Sequence, residues 1–402
     1  MRKFGLEHYA NNSNKYRPSR GYVHPLERAN SLMAEPLKNA FGPTVPKQIA
    51  EMIAAVLPAF PAQAFLKDAL AGYEPLALLA RGRHIAEALA RHLPDDFAAA
   101  SDILVASLGP RLARTENNGM APFLYLPHTI YVSTYGLDHF EPSMRALYEL
   151  TRRFTAEMAI RPFIARDTPR TLKRLTQWAA DSDVHVRRLV SEGTRPRLPW
   201  AARLPAFQKD PQPVLALLEL LKDDPELYVR RSVANNLNDI GKDHPVILAA
   251  TGARWLKGAT AERAWIVRHA LRSAIKRGEA AALAVLDYTP ARKLALAVPT
   301  ITPRRAKIGG AVTVAFDVTN KGKAPLRLMI DFRIHFVKAN GKASPKTFKL
   351  TSFELGGGKT ARLSKKVSLQ EMTTRKHYPG LHRIEAVING QVLPLGDFRL
   401  IA

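Results

Sequence analysis

At 402 residues the chain is long enough for two or three domains, and its 60 Lys and Arg against 35 Asp and Glu leave a formal charge of +25. Nucleic acid is therefore the first partner to expect, with anionic membrane second. The absence of cysteine excludes structural disulfides, thiolate metal sites and a Cys nucleophile, and no stretch approaches the ~18 apolar residues of a membrane span, so a cytoplasmic protein without membrane contact is expected.

Residues 1–30 are polar, with Asn11, Asn12, Ser13 and Asn14 followed by Pro18 and Pro25, and read as an N-terminal arm. Residues 31–296 read as helical. Within them 49–57 and 83–93 carry apolar residues at spacings of three and four, with prolines in the breaks, which predicts antiparallel helix pairs. From Thr168 onward a unit recurs: a helical stretch, an acidic turn, then an apolar-Arg-Arg opening to the next helix. Its copies are QWAADSDVHVRRL from Gln177, LLKDDPELYVRRSV from Leu220 and, more weakly, the segment from Trp255 through WIVRHAL. Val186, Val229 and Val267 align at intervals of 43 and 38 residues, the period of HEAT-type repeats. Stacked pairs would line a concave groove with their second helices.

The pattern changes after Leu296. Leu326, Leu328, Ile330, Phe332, Ile334 and Phe336 fall at every second position, as in a strand with one buried face. Further short strands are predicted over 311–318, 347–355, 361–369, 381–389 and 391–401. About seven strands in roughly 105 residues is an immunoglobulin-like β-sandwich, here over 297–402 and without an inter-sheet disulfide. This part holds 19 Lys and Arg against 6 Asp and Glu, which suggests a second contact to nucleic-acid backbone.

Arg187-Arg188, Arg230-Arg231 and Arg268-His269 open successive second helices, so stacking would set cations in a row to meet a row of phosphates. Intramolecular pairing, such as Arg188 with Glu192 at i, i+4, is the competing use. Gly193 is placed to end a helix, and Pro196 and Pro199 stiffen the loop that carries Arg195 and Arg197. Asn235, Asn236 and Asn238 gather hydrogen-bonding groups on one helix, and Arg161 and Arg272 add further cations. One carboxylate, Glu157, stands among apolar and basic residues before a proline break. No nucleotide-binding glycine loop and no metal-ligand spacing is present, so neither metal nor cofactor is expected.

FTAEMAIRPF at 154–163, HVRRLVSEGTRPRLPW at 185–200, YVRRSVANNLNDI at 228–240 with KDHP at 242–245, and WIVRHAL at 265–271 together closely resemble the AlkC-type DNA glycosylases of the HEAT-like AlkC/AlkD superfamily. The resemblance covers roughly 120–290, and the β part is similar to the immunoglobulin-like domain of one subgroup. It implies a monofunctional N-glycosylase that removes cationic bases such as 3-methyladenine and 3-methylcytosine from double-stranded DNA, without base flipping and as a monomer, leaving abasic sites. It also implies Glu157 as the catalytic carboxylate, with Trp178 as the aromatic beside the lesion and Asp138 and Glu141 in reserve. Here Ala156 and Met158 flank Glu157 where the family more often has Ser and Phe. A non-catalytic DNA-binding HEAT protein is the alternative, and would bind damaged DNA without releasing a base.

Overall fold

The computed structural model describes residues 37–290, 293–297, 299–371 and 376–402. The arm expected over 1–30 lies outside them. Among the described residues fifteen α-helices come first: α1 (Thr44–Val56), α2 (Ala62–Leu70), α3 (Leu78–His92), α4 (Phe97–Ala106), α5 (Leu126–Tyr135), α6 (Phe140–Thr151), α7 (Ile160–Arg166), α8 (Thr168–Trp178), α9 (Val184–Gly193), α10 (Pro205–Lys209), α11 (Gln212–Leu221), α12 (Leu227–Asp243), α13 (Pro245–Leu256), α14 (Ala261–Arg277) and α15 (Ala280–Val285). The recurring unit resolves into the pairs α8/α9, α11/α12 and α13/α14.

Local chemistry starts and stops these helices. Asp167, Asp183 and Thr260 cap α8, α9 and α14 by accepting from the amides of Arg170, His185 and Arg263. The aligned valines are fully buried, and α12 packs against α9 on one side and α14 on the other. The second helices thus form one continuous layer of an all-α, HEAT-like solenoid. The turn inside each of the first two pairs is stapled in the same way. Arg187 donates to the carbonyls of Asp181 and Ser182 at 3.0 Å each, and Arg230 to those of Asp224 and Pro225 at 2.8 and 2.6 Å.

The β part begins slightly earlier than the pattern predicted. β1 (Leu294–Leu296) already pairs with β4 (Ala311–Asn320). Along the same edge of β4 runs β2 (Thr300–Thr302), and β7 (Thr360–Ser368) pairs with its other edge. The second sheet has the order β3 (Arg305–Lys307), β9 (Gln391–Ile401), β8 (Gly380–Ile388), β5 (Leu326–Val337), β6 (Ala343–Leu355), antiparallel except for β3 with β9. Alternation drives the packing: Val312, Val314, Phe316 and Val318 of β4 face Leu328, Ile330, Phe332, Ile334 and Phe336 of β5 in one core. Each such side chain contributes about 1.5–3 kcal/mol on burial, so the immunoglobulin-like sandwich holds together without a disulfide.

Solenoid and sandwich meet backbone to backbone. Gly278 ends α14 in the left-handed region at φ 81°, and a Cβ there would lie 2.9 Å from the carbonyl oxygen of Gly390. Beside it Asn389 donates to the carbonyls of Thr289 and Arg327 at 2.8 and 2.9 Å. Gly278→Val is expected to spread this junction and cost about 1–3 kcal/mol through strain at a positive φ. Faster proteolysis between the two parts would register it, and an unchanged cleavage pattern would contradict it.

Candidate nucleic-acid interface and catalytic carboxylate

Glu157 sits in the turn between α6 and α7, with its side chain 19% exposed. Close packing holds that turn in place: a Cβ on Gly193, the last residue of α9, would lie 2.5 Å from Cγ2 of Ile160. Only glycine lets the end of α9 come so near. Thr155 Oγ1 donates to Glu157 Oε2 at 2.9 Å, and Arg188 Nη1 donates to the same oxygen at 2.5 Å. Oε1 receives no protein hydrogen bond among the described residues.

From Glu157 a chain of alternating charge crosses to α9 and α12. Arg188 reaches Glu192 at 3.7 Å, Glu192 meets Arg195 at 2.6 Å, Arg195 meets Asp239 at 2.8 Å, and Asp239 meets Lys242 at 2.7 Å. Ser232 Oγ donates to Glu192 at 2.6 Å, and the Arg188 guanidinium lies 5.1 Å over the Tyr228 ring. Burial disfavours the Arg188 cation, yet the carboxylates of Glu157 and Glu192 outweigh it and raise its pKa above the ordinary value. Tyr228 is pushed up by burial, with Glu157 and Glu192 adding to the shift against Arg188. Such a chain immobilises Glu157 as an oriented anion.

This arrangement corrects several expectations drawn from the repeats. Arg187, expected to meet phosphate, is largely buried and pairs with Asp224 at 2.6 Å. Arg230 is taken up by its own turn, Arg195 by Glu192 and Asp239, and Arg197 by Asp243 at 2.5 Å. Arg161 is 4% exposed and donates to the carbonyls of Gly193, Arg195 and Ala202, so it clamps the loop after α9. Burial, with Arg195 beside it, draws its pKa down to about 10. Asn236 is buried and donates to Ser191 O and Thr194 Oγ1, and Asn238 is buried too. Trp178 closes the end of α8 in the core, 7% exposed and 5.9 Å from Tyr148, so its ring presents no open face to a lesion. Asp138 and Glu141 are exposed partners of Arg166 and of Arg170 and Arg174, not of the Glu157 cluster.

Of the cations expected to meet phosphates, the outward-facing ones belong to the later repeats. Arg231 is 44% exposed and meets Glu116 at 2.7 Å, Arg268 is exposed, and Arg272 donates to Asn235 at 2.8 Å. His269 stacks on Trp265 with centroids 4.9 Å apart, and burial together with Arg272 and Arg231 lowers its pKa. Sequence reasoning missed Tyr228, Thr155 and Ser232. The one available signal was the match of Tyr228 to His185 in the aligned repeats, and these two rings do meet at 5.6 Å.

The carboxylates of these ion pairs set an acid limit on stability. Burial alone would raise Glu192, but Arg188, Arg195 and Ser232 hold it below its ordinary 4.5. Lys222, Trp255 and Arg254 draw Glu219 down, against burial, to about 2. A folded pKa below the unfolded one means stability that is complete above the unfolded value and lost as pH falls through the folded one. The melting temperature should be level above about pH 5 and fall from there toward pH 2. Melting curves that rise on acidification would contradict this.

A family model described as the C-terminal Ig-like domain of the uncharacterised protein YhaZ matches residues 295–402. The uncharacterized protein YhaZ of Bacillus subtilis (strain 168) is 36% identical over 365 residues, 90% of this chain and 99% of its own. The Pseudomonas fluorescens alkylpurine DNA glycosylase AlkC, solved bound to DNA containing an abasic site analog, is 39% identical, with a TM-score of 0.82 over 91% of this chain and 100% of that one. The chain belongs to the AlkC family. Coverage of this breadth takes in solenoid and sandwich together, so the likeness carried by the repeat segments extends through the whole AlkC architecture. Among the described residues, no helix is long and apolar enough to cross a membrane.

Proposed function

We propose that this protein is a monofunctional DNA N-glycosylase that excises cationic N-alkylated bases, of the 3-methyladenine and 3-methylcytosine class, from double-stranded DNA. The observation that carries this reading is Glu157, held through Oε2 by Thr155 and Arg188 with Oε1 left open, in a chain of the AlkC family. A base alkylated on a ring nitrogen already carries positive charge. When the bond from C1′ to the base nitrogen breaks, both electrons go to the base, which departs neutral and needs no general acid. Positive charge then grows on the deoxyribose, where a fixed carboxylate stabilises it. Water bonds to C1′ as its proton passes to that carboxylate or to solvent, leaving an abasic site. The carboxylate costs little to reorganise, because its partners already fix it.

The base is read here as staying within the duplex. Supporting this, the ring of the cluster, Tyr228, has a face covered by Arg188 and meets His185 at its edge, which leaves no pair of free rings in the cluster to sandwich an extruded base. Arg231, Arg268, His269 and Arg272 are assigned to the DNA backbone, and the basic sandwich to a second contact on the same duplex. The protein acts as a monomer in this reading, without cofactor. Duplexes bearing one 3-methyladenine or one 3-methylcytosine should yield abasic sites, scored by strand scission in alkali. Binding of the same duplexes without any released base would establish the architectural alternative instead.

A further inference from the structure

The cations of the third repeat are arranged differently from those of the first two. Arg268, Arg272 and Lys276 follow one another at intervals of four on α14, so they share one face of the helix. Across a cavity of about 510 Å³ they face Arg327 of β5 and Lys349 of β6. Five cations line this space and Asp331 is the one carboxylate among its lining residues. Its apolar floor includes Ile275, Tyr288 and Met329. Among the described residues Arg272 donates to Asn235 and to the carbonyl of His269, while Arg327 donates to the carbonyl of Leu286 at 3.2 Å, lies over Tyr288 at 5.0 Å and meets the 88% exposed Asp287 at 4.0 Å. Among the described residues no ion pair engages Arg268, Arg272, Lys276 or Lys349. In the first two repeats, by contrast, Arg187, Arg188 and Arg195 each have a carboxylate partner.

Like charges at i, i+4 on a helix face destabilise it, and like charges across a cavity add to this. Asp331, which acts on Lys349 and Lys276, offsets only one of these five charges, so an anion between the two walls would lower the repulsion that remains. We propose that the junction of solenoid and sandwich is a composite phosphate site, in which α14 and strands β5 and β6 together hold a phosphodiester of a nucleic-acid strand. The backbone contact of Gly278 with Gly390, next to the cavity, sets the spacing of its two walls before any ligand arrives. The site rests on the reading of this chain as a DNA-binding protein, and does not depend on base excision.

The test is the full-length double variant Lys276→Gln/Lys349→Gln, with Lys47→Gln/Lys67→Gln on the first helix pair as a charge-matched control. Binding to an undamaged duplex is followed by fluorescence anisotropy from 50 to 200 mM salt. The slope of log K against log salt should shrink by about 0.9 for each phosphate that the junction variant no longer neutralises, and stay unchanged in the control. Equal slopes in the junction variant and the unaltered protein would overturn the proposal, as would equal changes in both variants. Inorganic phosphate, titrated in a thermal-shift assay, separates the sources. Stabilisation by phosphate that the junction variant loses, with no change in its duplex slope, would make this a free-phosphate site and overturn the nucleic-acid assignment. Base release from a 3-methyladenine duplex is measured in parallel. A protein that releases no base yet shows the slope difference loses the glycosylase reading and keeps the junction site.

Discussion

Replacing Glu157 with Gln is expected to slow base release at single turnover by about 100-fold or more, equivalent to about 2.7 kcal/mol of transition-state stabilisation, while leaving affinity for an undamaged duplex unchanged or higher. Gln keeps the size of the side chain and can still accept a hydrogen bond from Thr155 or Arg188, so the turn before α7 should persist. What it removes is the charge opposite the deoxyribose. It also leaves Arg188 without its nearest anion, although Glu192 at 3.7 Å still compensates part of that charge. A variant that folds, binds DNA and excises at the full rate would remove Glu157 from the chemistry without disturbing the fold.

Arg187→Ala is expected to cost about 3–5 kcal/mol of unfolding free energy, because it strands the carboxylate of Asp224 in a buried position. That side chain is 4% exposed, and beyond Arg187 it accepts from the amide of Glu226 at 2.9 Å. Arg268→Ala, aligned with it two repeats later, should change stability by no more than about 0.5 kcal/mol, since its side chain is exposed and in no ion pair among the described residues. Its effect should appear in DNA affinity. Denaturant unfolding and duplex binding of the two variants, measured side by side, decide the matter. If Arg187→Ala weakened binding while leaving unfolding untouched, the row of phosphate-facing arginines expected from the repeats would be restored.

Most of the architecture was legible because it follows from periodicity. Apolar residues recurring at three and four had to form helices with one buried stripe, and the 43- and 38-residue intervals had to make those helices stack. Leu328 to Phe336 could only be a strand with one face in a core. The short strands β1, β2 and β3 were not legible, since three residues each carry too little alternation to stand out. Trp178 was misplaced for a related reason. At a helix end an aromatic residue reads alike whether it lines a groove or closes a core, and packing against Tyr148 decided for the core.

What the sequence by itself determined was the type and order of the elements, the excess of positive charge and, through its long matching segments, the family. What only the tertiary structure decided was which of those charges remain available to a partner. The carboxylates that neutralise Arg187, Arg195 and Arg197 lie 37, 44 and 46 residues further along the chain, about one repeat away. Coulomb attraction depends on distance in space, and in a stack of repeats a separation of one period becomes contact. Matching Val-Arg openings therefore met different fates: Arg187 of the first ties its repeat to the next, Arg230 of the second staples its own turn, and Arg268 of the third, beyond which the β-sandwich follows, faces an open basic cavity.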